Sequence, residues 1–242
     1  ANYQELFQDK VFLDSIPTMF SIMLPKLVIG VGVPLIAAEM IYSLKSLKAK
    51  FIYRVLVLLP IVPPGVVNTM LWKFIYDPAS GLAVEICRLF GIVEPDAAIN
   101  FLGDPSLVIG SVIFMGFPWI GGTSVLIYMS GLMSISTEVI EASLLDGCST
   151  FKRILKIDLP QLIGQIRYFL IFGIIGGLQD YGVQMILTKG GPGYSTYVPG
   201  YYMYMSAFTS QRMGYACTIG ATMFVFIFIV TLLTYRFANA ED

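Results

Sequence analysis

Five long apolar stretches, separated by polar segments, dominate the pattern of this chain of 242 residues. Each stretch holds about 20 or more mostly apolar residues, which is the length that an α-helix needs to cross the hydrocarbon core of a bilayer. The predicted spanning segments are 17–44, 52–76, 107–133, 162–187 and 215–237. The pattern predicts an all-α membrane protein with five spanning helices in a single domain, 1–242, of which 1–16 is an external lead-in.

Prolines and glycines interrupt these stretches. The second stretch contains Pro60, Pro63 and Pro64, and proline kinks a helix because it removes a backbone donor. Small residues in the third and fourth stretches allow close helix approach. They also leave space for a ligand, and the sequence leaves both uses open. These residues are Gly116, Gly121, Gly122, Gly164, Gly173, Gly176 and Gly177.

The composition agrees with a membrane location and excludes several kinds of site. Only 13% of the residues are charged and the mean hydropathy is +0.76, whereas soluble domains carry roughly 25% charge. The net charge of −1 argues against a nucleic-acid partner. The chain has no histidine and three scattered cysteines, so it lacks the commonest general base and shows no metal-binding spacing. No catalytic residue, metal ligand or cofactor is predicted for this chain.

Basic residues are distributed unequally between the two ends of the predicted bundle. Nine lie on the side of residues 134–160 and five on the opposite side. Because loops rich in lysine and arginine stay in the cytoplasm, residues 134–160 are predicted to be cytoplasmic and the acidic loop 77–106 to face outward. Five spans then place Ala1 outside, so we expect a further span upstream of it.

The polar segment within residues 134–160 is predicted to form two short helices joined by a hinge. Ser136 or Thr137 is suited to cap the first helix. Glu138 and Glu141 are three residues apart and share a helix face. Gly147 permits a sharp turn into the second helix, which Pro160 is expected to end.

Several motifs of this chain match one family. The segments Glu141-Ala142-Ser143, Gly147 and Ile157-Asp158-Leu159-Pro160 follow the pattern Glu-Ala-Ala, three residues, Gly, about nine residues, Ile-x-Leu-Pro. This segment resembles the EAA loop of permease subunits of bacterial ABC importers. Ser143 and Cys148 replace the usual alanines but keep small side chains. Thr188-Lys189-Gly190-Gly191-Pro192 is similar to a signature of the sugar-permease branch, and the nearest resemblance is to maltose-type permeases.

The resemblance implies a type I ABC importer transmembrane domain in a bacterial inner membrane. The expected partners are a second homologous permease, two subunits that bind ATP and Mg²⁺, an extracytoplasmic solute-binding protein and a sugar or oligosaccharide. The chain has no phosphate-binding loop motif, so it is expected to be a permease and not an enzyme. The residues expected to couple it to the ATPase are Glu138, Glu141, Ala142, Asp146 and Gly147.

Small and polar residues inside the predicted spans are the candidates for a substrate path. They are Asn68, Gly116, Trp119, Gly173, Gly176, Gly177, Gln179 and Asp180. The last three glycines and Asp180 follow one another at helical spacings, which predicts one shared side of the fourth span. Asp180 can accept hydrogen bonds from sugar hydroxyls or pair with a basic residue of a neighbouring subunit. Trp119 can stack on a sugar ring or simply pack.

The sequence allows three alternatives, and one of them, a purely structural membrane subunit, is disfavoured by the coupling motif. An importer of the same build could carry glycerol phosphate or an amino acid, although a phosphate would favour several cations and only Lys26 lies well inside a span. A membrane-embedded enzyme would need converging titratable groups. The isolated Asp180 and Glu39 argue against that function.

Overall fold

The structure, a computed structural model, describes residues 1–94 and 97–238, with side chains as far as Arg236. Residues 95, 96 and 239–242, which the predicted domain 1–242 includes, lie outside the described part. The described residues form helices and no strand. The helices are α1 Asn2–Leu6, α2 Lys10–Tyr42, α3 Leu47–Leu58, α4 Gly65–Ile75, α5 Leu82–Leu89, α6 Val108–Phe114, α7 Gly122–Met133, α8 Thr137–Leu145, α9 Thr150–Arg153, α10 Leu159–Gln161, α11 Ile163–Gln179, α12 Pro199–Tyr204 and α13 Met213–Ala238.

Helix α2 is the longest element, with 33 residues. At 1.5 Å per residue it is about 50 Å long, well over the roughly 30 Å of a hydrocarbon core. Asp9 caps it by accepting hydrogen bonds from the backbone N–H groups of Val11 (2.9 Å) and Phe12 (3.4 Å). The helix therefore begins at Lys10 and not near Pro17 as predicted, and the lead-in 1–16 consists of α1 and the first turns of α2.

The second predicted span is not one continuous helix. Helix α3 continues into a 3₁₀ turn, Leu59–Ile61, and α4 leaves at 85° to it. Pro63 and Pro64 occupy the corner, where the missing N–H donors prevent the helix from continuing. The prolines that the sequence places inside a span thus divide it into two helices.

The third predicted span is divided as well. Helices α6 and α7 are separated by residues 115–121, in which Gly116 and Trp119 adopt positive φ angles of 97° and 56°. A helix cannot pass through such a conformation. Helix α8 then leaves the end of α7 at 72°.

Within the described part of the chain, three helices are long and apolar enough to cross a membrane, and the count rises to five if each of two bent pairs forms one span. The three long segments are Lys10–Tyr42, Ile163–Thr188 and Met213–Arg236. Helix α2 lies at the centre and packs against α7 and α11. One core cluster gathers around Met19, Trp72, Leu178 and Tyr201, and a second around Ala38, Tyr128 and Leu162. No residue of α3 is buried, so this helix presents an apolar face to lipid or to another subunit.

Candidate functional site

Residues 136–161, called here the hinged segment, form the two short helical parts that the sequence predicts. Helix α8 ends at Leu145, and Gly147 takes a left-handed φ of 70°. The N–H of Gly147 donates to the carbonyl of Leu144 (3.0 Å), and the N–H of Cys148 donates to that of Ser143 (2.9 Å). This pair of bonds is the Schellman arrangement that closes a helix at a glycine. The hinge is therefore a fixed turn with its carbonyls satisfied.

The five residues expected to couple the chain to an ATPase all lie at the surface. Glu138, Glu141, Ala142, Asp146 and Gly147 are exposed. Ser143, on another side of α8, is 7% exposed, and its Oγ donates to the carbonyl of Ile140 in the same helix (2.7 Å). The first half of the hinged segment thus offers carboxylates outward from a packed base.

The apolar side chains of the hinged segment are exposed too. Leu145 is 89% exposed, and Leu144 and Phe151 are 62% and 71% exposed. Exposed apolar residues close to carboxylates are typical of a protein interaction surface. This part of the surface is thus suited to contact another protein.

The second half of the hinged segment is helical almost to α11. Ser149 caps α9 by accepting from the N–H of Lys152 (3.4 Å). A π-turn, Ile154–Asp158, follows and leads into α10. Pro160 lies inside α10, where its missing donor is harmless near a helix start, and the break before α11 falls at Leu162.

A buried ionic cluster between the hinged segment and the end of α2 was not predicted. The Nε of Arg153 donates to Oδ2 of Asp158 at 3.0 Å, and Asp158 has no exposed surface. Glu39, in the last turn of α2, is 6% exposed and interacts electrostatically with both residues. Two features of the sequence could have indicated it. Asp158 occupies the variable position of the Ile-x-Leu-Pro motif, and Glu39 lies in an otherwise apolar stretch.

A cavity of about 240 Å³ lies between α2 and α11. Its polar residues are Lys26, Asp180 and Gln184. Asp180 stands where α11 ends, with an extended backbone conformation. Gln184 is 1% exposed and its Oε1 has no hydrogen-bond partner. Lys26 interacts electrostatically with Asp180, but no ion pair of Lys26 within 4.0 Å occurs among the described residues.

The structure brings only some of the predicted path residues to this cavity. Gly173, Gly177 and Asp180 line it, whereas Gly176 is exposed on another side of α11. A Cβ atom at Gly173 would overlap Leu27, and one at Gly177 would overlap Met23. These two glycines therefore let α2 and α11 approach each other closely.

The remaining predicted path residues lie elsewhere. Gln179 lines a separate pocket beside α13, and Asn68 is exposed on α4. Gly116 and Trp119 lie in the break between α6 and α7, where the Trp119 ring packs edge-on against Phe114 and Phe117. In this conformation Trp119 therefore packs against neighbouring aromatic rings, which is one of the two roles left open for it by the sequence.

The opposite end of the bundle carries a tightly bonded loop. The hydroxyls of Thr188 and Thr196 share a 2.7 Å hydrogen bond across the Gly-Gly-Pro turn. Gly190 has a φ of 79°, and a Cβ there would overlap Tyr197. The glycine is therefore required both by the backbone conformation and by the neighbouring ring.

Comparison with known proteins identifies the family. Residues 30–240 match the family model described as "Binding-protein-dependent transport system inner membrane component". The chain is 29% identical to the probable ABC transporter permease protein YurN of Bacillus subtilis, over 98% of this chain and 80% of that protein. It is 28% identical to the multiple sugar-binding transport system permease protein MsmF of Streptococcus mutans, over 98% of this chain and 80% of that one.

A solved structure shares the fold. It is a bacterial ABC transporter involved in the import of the acidic polysaccharide alginate, and the match has a TM-score of 0.88 at 21% identity, covering 98% of this chain and 82% of that one. With the family match over most of its length, this chain belongs to the inner membrane components of binding-protein-dependent transport systems.

Proposed function

We propose that this chain is a permease subunit of an ATP-driven importer that carries a sugar or oligosaccharide across the cytoplasmic membrane. Three kinds of relatives support the substrate class, because their names refer to multiple sugars, diacetylchitobiose and maltose or maltodextrin. The proposed complex contains a second homologous permease, two ATP-binding subunits and an extracytoplasmic solute-binding protein. ATP and Mg²⁺ bind to the ATP-binding subunits.

The observation that carries the proposal is the exposed hinged segment, whose turn at Gly147 is fixed by hydrogen bonds. Glu138 and Glu141 extend from α8 and can pair with arginines of an ATP-binding subunit. The hinged segment is joined directly to α7 and to α11. When the ATP-binding subunits close, its displacement is passed to both helices. Because ATP binds the closed ATP-binding subunits more tightly than the open ones, it shifts the permease population from the inward-open to the outward-open state.

The proposed substrate path passes the end of α11. Asp180 and Gln184 border the cavity between α2 and α11 and have oxygens that can accept hydrogen bonds from hydroxyl groups. An acid inside a spanning segment is functional by default. The break of α11 at Asp180 also frees backbone groups, which membrane proteins tolerate where they line a cavity.

The test is an assay of the whole complex. The chain is purified with its permease and ATPase partners, and ATP hydrolysis is measured with the binding protein and a panel of saccharides, glycerol phosphate and amino acids. A saccharide is expected to stimulate hydrolysis. Stimulation by glycerol phosphate or an amino acid alone would refute the substrate class and support the alternative.

Glu141→Lys tests the coupling role in the same assay. The reversed charge is expected to abolish stimulation because it repels an arginine on the partner. Asp14→Lys is the matched control, since Asp14 is exposed at the far end of α2. Normal stimulation of the Glu141→Lys complex would contradict the assignment of the hinged segment.

A further inference from the structure

The buried ionic cluster at the inner side of the hinged segment brings two acids to one basic residue. Asp158 and Glu39 each contribute a carboxyl group; the guanidinium of Arg153 binds Asp158 and interacts electrostatically with Glu39. Charges removed from water need both a partner and hydrogen bonds to offset the cost of their dehydration. The two buried acids therefore compete for the single guanidinium group of Arg153.

The hydrogen bonds of the cluster are incomplete in a complementary way. Arg153 uses its Nε for Asp158, while its Nη2 is buried without a partner. Both carboxyl oxygens of Glu39 and Oδ1 of Asp158 are also buried without partners. Arginine can bind acids through two edges of its planar group. The free donor of Arg153 thus has free acceptors on both acids, and those of Glu39 belong to α2.

The backbone of the hinged segment is shaped to bring Arg153 and Asp158 together. Residues five apart on an α-helix point about 140° away from each other. Here the intervening residues form a π-turn, closed by the N–H of Leu159 donating to the carbonyl of Ile154. In a π-turn each N–H group bonds to the carbonyl five residues earlier, not four as in an α-helix, and such turns are often found at functional sites. The unusual turn thus places both side chains on one side.

Arg153 also contacts the end of α2 by a second route. Its guanidinium carbon lies 5.8 Å from the ring centroid of Tyr42, within the range of a cation–π interaction. Helix α2 has no short chain connection to the hinged segment, since α3 to α7 intervene. The cluster is therefore a side-chain link between α2 and the segment that moves in the proposed mechanism.

We propose that Arg153 is a positioning residue that ties the end of α2 to the hinged segment, bound to Asp158 through Nε and held to Glu39 through Nη2 when the segment moves. This inference rests on the proposed function. It adds α2 to the two helices, α7 and α11, that follow the hinged segment through the chain itself. The cavity wall formed by α2 then moves with the wall formed by α11.

The first experiment is a double-mutant cycle on the complete complex. Arg153→Gln and Glu39→Gln are each expected to lower the stimulated rate of ATP hydrolysis roughly tenfold. The double variant is expected to be no slower than either single one, because both remove the same link. Lys48→Gln is the control, as Lys48 is exposed at the start of α3 and outside the hinged segment, and Arg153→Lys is expected to restore part of the stimulation.

Two outcomes of this cycle would overturn the proposal while leaving the proposed function intact. One is wild-type stimulation in Glu39→Gln. The other is a double variant whose loss equals the product of the two single losses. A complex with native charges that no saccharide stimulates would instead count against the proposed function.

The second experiment leaves Arg153, Asp158 and Glu39 unchanged and needs no sugar. Spin labels are attached at Ser43→Cys and Lys152→Cys, two exposed positions beside the cluster, in a chain whose natural cysteines are replaced. The distance between the labels is measured without nucleotide and after trapping with ATP and vanadate, in samples with confirmed vanadate retention. A constant distance supports the link, and a shift of about 5 Å or more, one helical turn, overturns it.

Discussion

The hydroxyl of Tyr202 donates a 2.6 Å hydrogen bond to Oδ2 of Asp9, a residue 193 positions earlier in the chain. Tyr215 donates to the same oxygen, and the other oxygen, Oδ1, caps α2. One carboxylate therefore joins the start of α2 to α12 and α13. Beside it, Arg212 binds both oxygens of Glu5 at 2.7 and 2.8 Å.

The Asp9 network predicts a stability loss on Asp9→Asn. The amide keeps an oxygen for one tyrosine but loses the charge that strengthens the hydrogen bonds, so the expected cost is about 1–3 kcal/mol. In a chain of this size that lowers Tm by about 2–4 °C per kcal/mol, measured by thermal unfolding of the purified complex. Asp14→Asn, an exposed neighbour in α2, is the control. Equal Tm values for the two variants would rule out a stabilising role of the network.

The same carboxylate predicts a dependence on acid. Burial raises the pKa of Asp9, but hydrogen bonds from Tyr202, Tyr215 and the backbone N–H groups of Phe12 and Val11 together lower it below its ordinary value. A depressed folded-state pKa stabilises the protein above the unfolded-state value of about 4, and the effect is lost as pH falls through the lowered pKa. Between about pH 5 and pH 3 the Tm of the native complex is expected to fall more steeply than that of Asp9→Asn. Parallel curves would contradict this.

The glycines of α11 predict opposite results at neighbouring positions. Gly177→Leu would force a side chain into Met23, and overpacking of this kind costs about 1–3 kcal/mol. At Gly176 a Cβ meets no atom within 4 Å, so Gly176→Leu leaves the α2–α11 contact unchanged. Assembly and Tm of the complex are measured for both. If Gly177→Leu assembles with native Tm and loses only transport, the ligand-space interpretation of this glycine is the better one.

The sequence predicts some of these features well for a physical reason. Long apolar stretches must be helices in a bilayer because backbone groups need internal partners, so the five stretches locate the main helices. Gly147 is predictable because a left-handed turn favours glycine. Each of these rests on information that is local in the chain.

Other features depend on contacts between distant residues. Gly176 and Gly177 differ by only about 100° around α11, so the sequence could not tell which one faces α2. The division of the third stretch at Trp119 and the burial of Glu39 beside Asp158 likewise depend on neighbours from other helices. The path residues were therefore only partly brought together by the fold.

The hinge predicts a cost for Gly147→Ala. A side chain in the left-handed region costs about 1–2 kcal/mol, and Gly147 has a φ of 70°. Gly176→Ala is the matched control because Gly176 lies in the interior of α11 and a Cβ there meets no atom within 4 Å. In a helix that change stabilises by about 0.5–1 kcal/mol. Tm values that move in the same direction for both variants would show that the turn is not strained by alanine.

The electrostatic interaction of Lys26 with Asp180 predicts a recovery of stability in a double variant. Lys26→Met and Asp180→Asn each leave one uncompensated charge beside an apolar cavity, and each is expected to lower the stability of the complex by about 1–2 kcal/mol. The combination of both changes restores neutrality and should recover most of the loss. Additive losses in Tm would show that the two side chains do not compensate each other.

The double variant of Lys26 and Asp180 also separates the two roles left open for Asp180. If the carboxylate accepts hydrogen bonds from a sugar, its loss weakens transport even when stability has been recovered, because a charged acceptor binds hydroxyls more strongly than an amide does. If it serves only as the counter-ion of Lys26, the neutral pair transports normally. Initial uptake rates over a range of saccharide concentrations, in vesicles containing equal amounts of complex, distinguish the two cases: a raised KM for uptake favours the ligand role, and an unchanged KM with native Tm favours the ionic one.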